Sequence, residues 1–176
     1  AGALNEGVVE TKTQFKDLPK KITCAGRPIG EYDDKIPSNL TAEQILIRSG
    51  NIGSVRIGQK IGGEKMREFL NNIGVLNKME FDIEEIGEPI PFKWGKCKLA
   101  TASFGHGITT TPLQLAKGYS IISNGGFDIK PTLIKKEVKK SKKNRILNKE
   151  VSKKINPILR KIVSTKDGTA NFANIE

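Results

Sequence analysis

The chain has 176 residues, a formal net charge of +11 and 36% hydrophobic residues. This length and composition are typical of one compact globular domain, and they exclude a disordered chain and a fibrous repeat. No apolar run approaches the roughly 18 residues that a membrane-spanning helix needs, so the chain itself is predicted to be soluble.

Prolines and glycines recur through residues 10–38 among short extended pieces. Such a mixture predicts an irregular connection or a loose hairpin rather than a core helix. Cys24 lies in this segment, and the second cysteine of the chain is Cys97. Two cysteines so far apart do not indicate a disulfide framework or a metal site, so we expect a structural or incidental role for both. The sequence leaves open whether they pair.

The first predicted helix begins at Thr41, because Thr41-Ala42-Glu43-Gln44 is a capping box. Its apolar period continues to Ile61 and ends at Gly62-Gly63. Helix propensity falls locally at Ser49-Gly50-Asn51. The sequence therefore places a hydroxyl and a carboxamide where an apolar helix is interrupted.

The middle of the chain is less regular. Residues 64–71 predict a short amphipathic helix that Ile73-Gly74 closes. Residues 75–100 combine glutamates with prolines and Gly95, which predicts an extended surface segment between helices. Residues 103–107, with the lone His106 between two glycines, predict a tight turn.

The C-terminal half contains two further predicted helices. The first begins at the cap Thr111-Pro112-Leu113-Gln114 and ends at Asn124-Gly125-Gly126. A strand is expected over residues 127–137, where apolar residues lack helical spacing. The second helix carries an apolar stripe from Val151 to Ile162, and Pro157 is expected to kink or interrupt it.

The positive charge is concentrated in one stretch. Residues 130–166 hold 14 Lys and Arg against Glu137 and Glu150, a local charge of +12, so the rest of the chain is close to neutral. Such a stretch can bind nucleic acid or an anionic polymer through salt-sensitive contacts. No aromatic residue is interleaved to stack on bases, which favours a solvated hairpin or loop.

Three ordered blocks carry a resemblance to a known family. They are Ser49-Gly50-Asn51, Ser103-Phe104-Gly105-His106-Gly107-Ile108 and Thr110-Thr111-Pro112-Leu113-Gln114-Leu115-Ala116. Together they resemble the transpeptidase domain of penicillin-binding proteins, most closely the division-specific, monofunctional (class B) FtsI type. Residues 1–9 and 163–170 also resemble family segments, which follow the nucleophile helix and precede the Lys-Thr-Gly strand.

The resemblance implies an α/β (α+β) penicillin-binding/β-lactamase-like transpeptidase fold, mostly helical with few strands in this chain. Residues 1–176 would form a partial transpeptidase domain: the helical subdomain plus the stretch leading to the missing Lys-Thr-Gly strand. Of the family signatures Ser-x-x-Lys, Ser-x-Asn and Lys-Thr-Gly, only the second occurs. We therefore expect an interior fragment without the nucleophile. At Lys166-Asp167-Gly168-Thr169 we expect a turn after a helix, not the missing motif.

The same resemblance assigns roles to two side chains. Ser49 matches the proton-relaying hydroxyl, and Asn51 matches the carboxamide that orients the catalytic lysine and the substrate amide. Gly50 stands where many relatives have serine. The implied reaction is D,D-transpeptidation, which cross-links cell-wall stem peptides ending in D-Ala-D-Ala through a serine acyl-enzyme at the division septum. β-Lactams are implied ligands, and no cofactor is implied.

Division-complex proteins, including a membrane glycosyltransferase, are the implied partners, and no nucleic acid is expected. The parent protein is expected to be anchored in the bacterial inner membrane with this domain in the periplasm, while the fragment itself is soluble and inactive. The alternative function is a basic module for nucleic acid or an anionic polymer, built on residues 130–166. A penicillin-hydrolysing or penicillin-sensing relative of the same fold is a third possibility.

Overall fold

The computed structural model describes residues 1–83, 87–91, 93–95, 97–135 and 144–174. Its helices are α1 (Gly2–Asn5), α2 (Ala42–Ile47), α3 (Asn51–Ile61), α4 (Gly63–Asn72), α5 (Lys98–Ser103), α6 (Pro112–Ser123) and α7 (Lys149–Ser164), with a 3-10 turn at Asn171–Ala173. Its strands are β1 (Gln14–Phe15), β2 (Lys21–Cys24), β3 (Arg27–Gly30) and β4 (Leu40–Thr41). The strands form two small antiparallel pairs, β1 with β4 and β2 with β3. The described part is thus mostly helical with few strands, as expected.

Helix α3 lies at the centre of the core. It packs against α1, α2, α4, α5 and β3, and its Ile52 and Val55 are fully buried. A Cβ added at Gly58 would lie 1.8 Å from Ser103 Oγ of α5. The absence of a side chain at position 58 is therefore what lets α3 and α5 approach so closely.

The predicted interruption between α2 and α3 is confirmed. Both hydrogen bonds of the capping box join Thr41 and Gln44 at the start of α2. Arg48 then caps the end of α2, and Gly50 is the N-cap of α3. One apolar stretch therefore becomes two helices that meet at Ser49.

The N-terminal connection contains the hairpin that the prolines and glycines suggested. Strands β2 and β3 pair with Lys21 opposite Gly30 and Ile22 opposite Ile29. The cysteines do pair: a disulfide joins Cys24 at the end of β2 to Cys97 just before α5. Their role is therefore structural, and their spacing gave no sign of it because only the tertiary fold brings the two segments together.

Helix α6 begins at its predicted cap and is followed by Asn124 and two glycines of positive φ, as expected. Of the two effects expected at Pro157, the interruption is wrong, because α7 runs unbroken through it, and the kink stays a prediction. A proline costs an interior helix about 3 kcal/mol. Val151, Ile155 and Ile158 are buried on both sides of it, and each such side chain contributes about 1.5 to 3 kcal/mol, which outweighs that cost.

The strand expected over residues 127–137 is wrong in its described part. Residues 127–135 form only a single antiparallel bridge, Phe127 with Arg145. Pro131 has no N–H to donate, and the N–H of Leu133 donates to the Asp82 carboxylate at 2.7 Å instead of to a strand. Residues 136 and 137 lie outside the described residues.

Helix α5 begins at the end of residues 75–100, the segment that was expected to be extended throughout. With only six residues, it is too short to show a helical period in the sequence. The expected turn follows it, at residues 104–107. Within the described ranges, no helix is both long enough and apolar enough to cross a bilayer.

Candidate active site

The two site residues predicted from the sequence lie at the junction of α2 and α3. Ser49 is an exposed residue of the turn, and its φ of 52° is in the left-handed region that non-glycine residues seldom adopt. Gly50 is buried, and Asn51 is the first residue of α3. The break in the helix therefore places the hydroxyl and the carboxamide, which are two residues apart in sequence, at one corner of the fold, the junction of α2 and α3.

Asn51 is half-buried at the edge of an open groove of about 740 Å³. The groove lies between the β2–β3 hairpin and α5, and its lining includes Arg27, Trp94 and His106. Asn51 Nδ2 donates to the Gly30 carbonyl at 2.9 Å, which fixes the carboxamide against the hairpin. Of the predicted pair, Asn51 lines this groove, whereas Ser49 faces solvent beside it.

The hydroxyl of Ser49 meets the turn that follows α7. Ser49 Oγ and Thr169 Oγ1 share a hydrogen bond of 2.9 Å. Next to it, Arg48 forms an ion pair with Asp167 at 2.7 Å. Residues 166–169 are thus a turn, as expected, but this turn contacts the site. Sequence reasoning missed Thr169, because nothing local links two residues 120 positions apart.

A carboxylate that the sequence did not single out lies at the start of α3. Glu31 Oε2 accepts the N–H of Asn51 at 2.6 Å, and its Oε1 accepts the N–H of Ile52 at 3.1 Å. Tyr32, next along the chain, donates its hydroxyl to the Arg48 carbonyl at 3.0 Å. The segment after β3, which the sequence predicted as irregular connection, therefore holds both ends of the turn.

A buried carboxylate stabilises the packing of α2, the helix that precedes Ser49. Glu43, near the start of α2, is 8% exposed and accepts hydrogen bonds from Lys161 at 2.5 Å and Lys12 at 2.9 Å. The hydrogen bond from Lys161, followed by that from Lys12, lowers the pKa of Glu43 below its ordinary value. The ionised carboxylate thus ties α7 to α2.

The lone histidine also faces the groove. The rings of His106 and Phe104 stack with centroids 6.0 Å apart. Among the residues that the structure describes, no three His, Cys, Asp or Glu side chains are arranged to hold a metal ion. At the junction of α2 and α3, the polar side chains singled out from the sequence are the Ser49 hydroxyl and the Asn51 carboxamide, each of which can donate and accept hydrogen bonds.

Comparison with known proteins shows the family to which the chain is similar. The family described as penicillin binding protein transpeptidase domain matches residues 1–176. The chain is 27% identical to the probable peptidoglycan D,D-transpeptidase FtsI of Caulobacter vibrioides, with 98% of this chain and 29% of that protein covered. It is 30% identical to stage V sporulation protein D of Bacillus subtilis, with 76% of this chain and 22% of that protein covered.

Solved structures show the same fold. The apo transpeptidase domain of Burkholderia pseudomallei penicillin-binding protein 3 superposes with a TM-score of 0.89 at 21% identity, covering 99% of this chain and 53% of that one. Penicillin-binding protein 3 of Mycobacterium tuberculosis, complexed with aztreonam, gives a TM-score of 0.86 at 19% identity, covering 99% and 42%. The chain spans about a quarter of the length of the two curated relatives. Because the family match extends over every residue, the chain belongs to the penicillin-binding protein transpeptidase domains.

Proposed function

We propose that this chain is part of a peptidoglycan D,D-transpeptidase, which cross-links stem peptides ending in D-Ala-D-Ala and binds β-lactams. The family match and the name of the Caulobacter relative support this activity. The structural observation that carries the proposal is the helix break, where Ser49 is exposed and Asn51 edges an open groove. A peptide tail in that groove would pass directly beside the Asn51 carboxamide.

Each of the two residues has one role in this proposal. In acyl transfer, a serine hydroxyl attacks the carbonyl of the penultimate D-Ala, and the terminal D-Ala departs as an amine once its nitrogen gains a proton. Ser49 relays that proton, because an exposed hydroxyl can donate to one partner and accept from another. Asn51 holds the catalytic lysine and the substrate amide, and its bond to the Gly30 carbonyl keeps the carboxamide in place.

We further propose that the protein acts at the division septum, with a membrane glycosyltransferase and other division proteins as partners. The Caulobacter relative carries the FtsI name, which supports this finer assignment. We also propose an inner-membrane anchor on the parent protein, with this domain in the periplasm. The disulfide between Cys24 and Cys97 supports a periplasmic site, because disulfides persist in that oxidising compartment.

The basic stretch gives less support to a nucleic-acid module. Several of its described lysines pair with carboxylates of this chain: Lys130 with Glu80 at 3.0 Å and Lys154 with Glu10 at 2.5 Å. Lysines neutralised in this way contribute little to a phosphate-binding surface. Residues 136–143 of the stretch lie outside the described residues. None of the relatives named above supports this alternative.

The activity is tested by comparing this chain with the full-length protein. Neutral hydrogen bonds contribute about 0.5 to 1.5 kcal/mol and those to charged groups about 1.5 to 3, whereas enzymatic acceleration needs at least ~8 kcal/mol. Ser49 and Asn51 alone do not reach that, so the 176-residue chain should form no adduct with labelled penicillin. Mass spectrometry should show one acyl group on the full-length protein only. A full-length protein that gains no acyl group would contradict the proposal, whereas an acyl group on the chain alone would contradict only the expected inactivity of the chain.

A further inference from the structure

Helix α3 has no side-chain cap of its own. Its N-cap is Gly50, which has no side chain, and the first two free N–H groups of the helix are those of Asn51 and Ile52. Both donate to the single carboxylate of Glu31, at 2.6 and 3.1 Å. Charge-assisted bonds of this kind are among the strongest in proteins, and the positive end of the helix dipole strengthens them.

The capping carboxylate comes from outside the helix, from a residue 20 positions earlier in the chain. An ordinary cap would be a Ser, Asp or Asn at position 50. Here a Cβ at Gly50 would lie 3.8 Å from Glu31 Oε1, an ordinary van der Waals contact, so the carboxylate lies directly beside the N-cap position. The cap therefore couples the end of the β2–β3 hairpin to the turn.

The residues on either side of Glu31 in the sequence also form hydrogen bonds with the same turn. On one side, the Gly30 carbonyl accepts a hydrogen bond from Asn51 Nδ2 at 2.9 Å. On the other side, the Tyr32 hydroxyl donates to the Arg48 carbonyl at 3.0 Å. Ser49 lies between these anchors with its φ of 52°. Backbone in a sparsely populated conformation persists only where the surroundings over-determine it, and the segment from Gly30 to Tyr32 supplies that constraint.

We propose that Glu31 is a positioning residue for the transpeptidation reaction. Its carboxylate fixes the backbone at the start of α3 and so positions the Asn51 carboxamide at the groove and constrains the turn that carries the Ser49 hydroxyl. The inference rests on the proposed function, since it assigns Glu31 an effect on that reaction. Its structural part, the constraint on the turn, stands independently.

The test uses the full-length protein with three substitutions. E31Q removes the charge at constant length, E31D keeps the carboxylate, and D34N is the matched control. Asp34 is exposed three residues further on, and the contact of residue 34 described here is made by its backbone carbonyl, with Lys20. The measurements are the second-order rate of acylation by a fluorescent penicillin and the deuterium uptake of peptides covering residues 48–53.

We expect E31Q to lower the acylation rate roughly tenfold, the effect of losing one charge-assisted contact. E31D should recover most of that rate, and D34N should match the unmodified protein. Deuterium uptake at residues 48–53 should rise in E31Q alone. Acylation of E31Q within twofold of the unmodified rate would overturn the proposal, as would an equal loss in D34N.

The two proposals fail in different ways. If the unmodified full-length protein is not acylated at all, the transpeptidase assignment fails, and the positioning role fails with it. The deuterium uptake then still reports whether Glu31 constrains the turn. If the unmodified protein is acylated but E31Q is equally fast, only the positioning role fails. If E31Q does not fold, the proposal is judged on E31D, which must keep the rate to within about threefold because it retains the carboxylate.

Discussion

Ser49 combines an exposed hydroxyl with a left-handed backbone, and both properties follow from its position between two helices. The resemblance to the family's Ser-x-Asn motif singled out this residue and Asn51, and the local fall in helix propensity predicted the break on which they lie. It did not identify Glu31 or Thr169, whose contacts with the site cross 20 and 120 positions of chain. Long-range contacts of this kind depend on the packed fold, so no spacing rule reveals them.

Two substitutions at position 49 test whether the backbone of Ser49 is strained. S49A and S49G both lose the hydroxyl, but only alanine keeps a Cβ at a φ of 52°. The left-handed conformation costs a non-glycine residue roughly 1 to 2 kcal/mol, part of which the greater freedom of unfolded glycine offsets. S49G should therefore be more stable than S49A by roughly 1 kcal/mol in urea unfolding. S49A equal to or more stable than S49G would show that position 49 is not strained.

Glu43 should make stability depend on pH in the acid range. Its pKa is lowered in the folded state by Lys161 and then Lys12, so its contribution is present above the unfolded pKa. That contribution disappears as the pH falls through the folded pKa. At pH 7, E43Q should lose about 1.5 to 3 kcal/mol of unfolding free energy, the range for hydrogen bonds to a charged group.

The pH series supplies the control for Glu43. In urea unfolding, the gap between the unmodified chain and E43Q should shrink as the pH is lowered below about 4, where unfolded glutamate takes up its proton. A gap that stays constant down to pH 2 would mean that packing, rather than the ionised carboxylate, supplies the stabilisation.

Among the helices and strands, those that depend on local sequence signals were predicted correctly, and those that depend on contacts distant in sequence were not. The starts of α2 and α6 were predicted because a capping box involves only four consecutive residues. The prediction of a strand over residues 127–137 was wrong in its described part because a strand needs a partner. The sequence does not show that the N–H of Leu133 donates to the Asp82 carboxylate instead. Pro157 does not interrupt α7, since burial of the apolar residues of α7 outweighs the local cost of proline.

The close approach of α3 and α5 predicts a large effect of one methyl group. G58A would drive a Cβ into Ser103, 1.8 Å from its Oγ, whereas G63A meets nothing within 4 Å. Overpacking a well-filled core costs about 1 to 3 kcal/mol, so G58A should lower the unfolding free energy by that amount. G63A should change it by less than about 1 kcal/mol. Equal effects of the two variants in urea unfolding would contradict this account of the interface.

For the whole molecule, the ordered blocks of sequence predicted the fold through their resemblance to the family, and each of them lies at a helix boundary. Ser49-Gly50-Asn51 lies at the break between α2 and α3, residues 103–108 begin at the last residue of α5, and residues 110–116 span the cap and first residues of α6. The disulfide that lines the groove was not predictable, because Cys24 and Cys97 approach only after the hairpin folds onto α5. In the loop-entropy description, closing so long a loop stabilises by about 4 kcal/mol, so this one bond matters to the whole domain.

In the proposed function, the Asn51 carboxamide lines the groove that receives the substrate. The most direct measurement is the acylation rate of the full-length protein by a fluorescent penicillin. N51A should lower that rate at least ~10-fold, because a hydrogen bond to a charged group is lost. N72A, which removes an exposed carboxamide at the end of α4, should leave the rate unchanged. A rate for N51A within twofold of the unmodified protein would contradict the account.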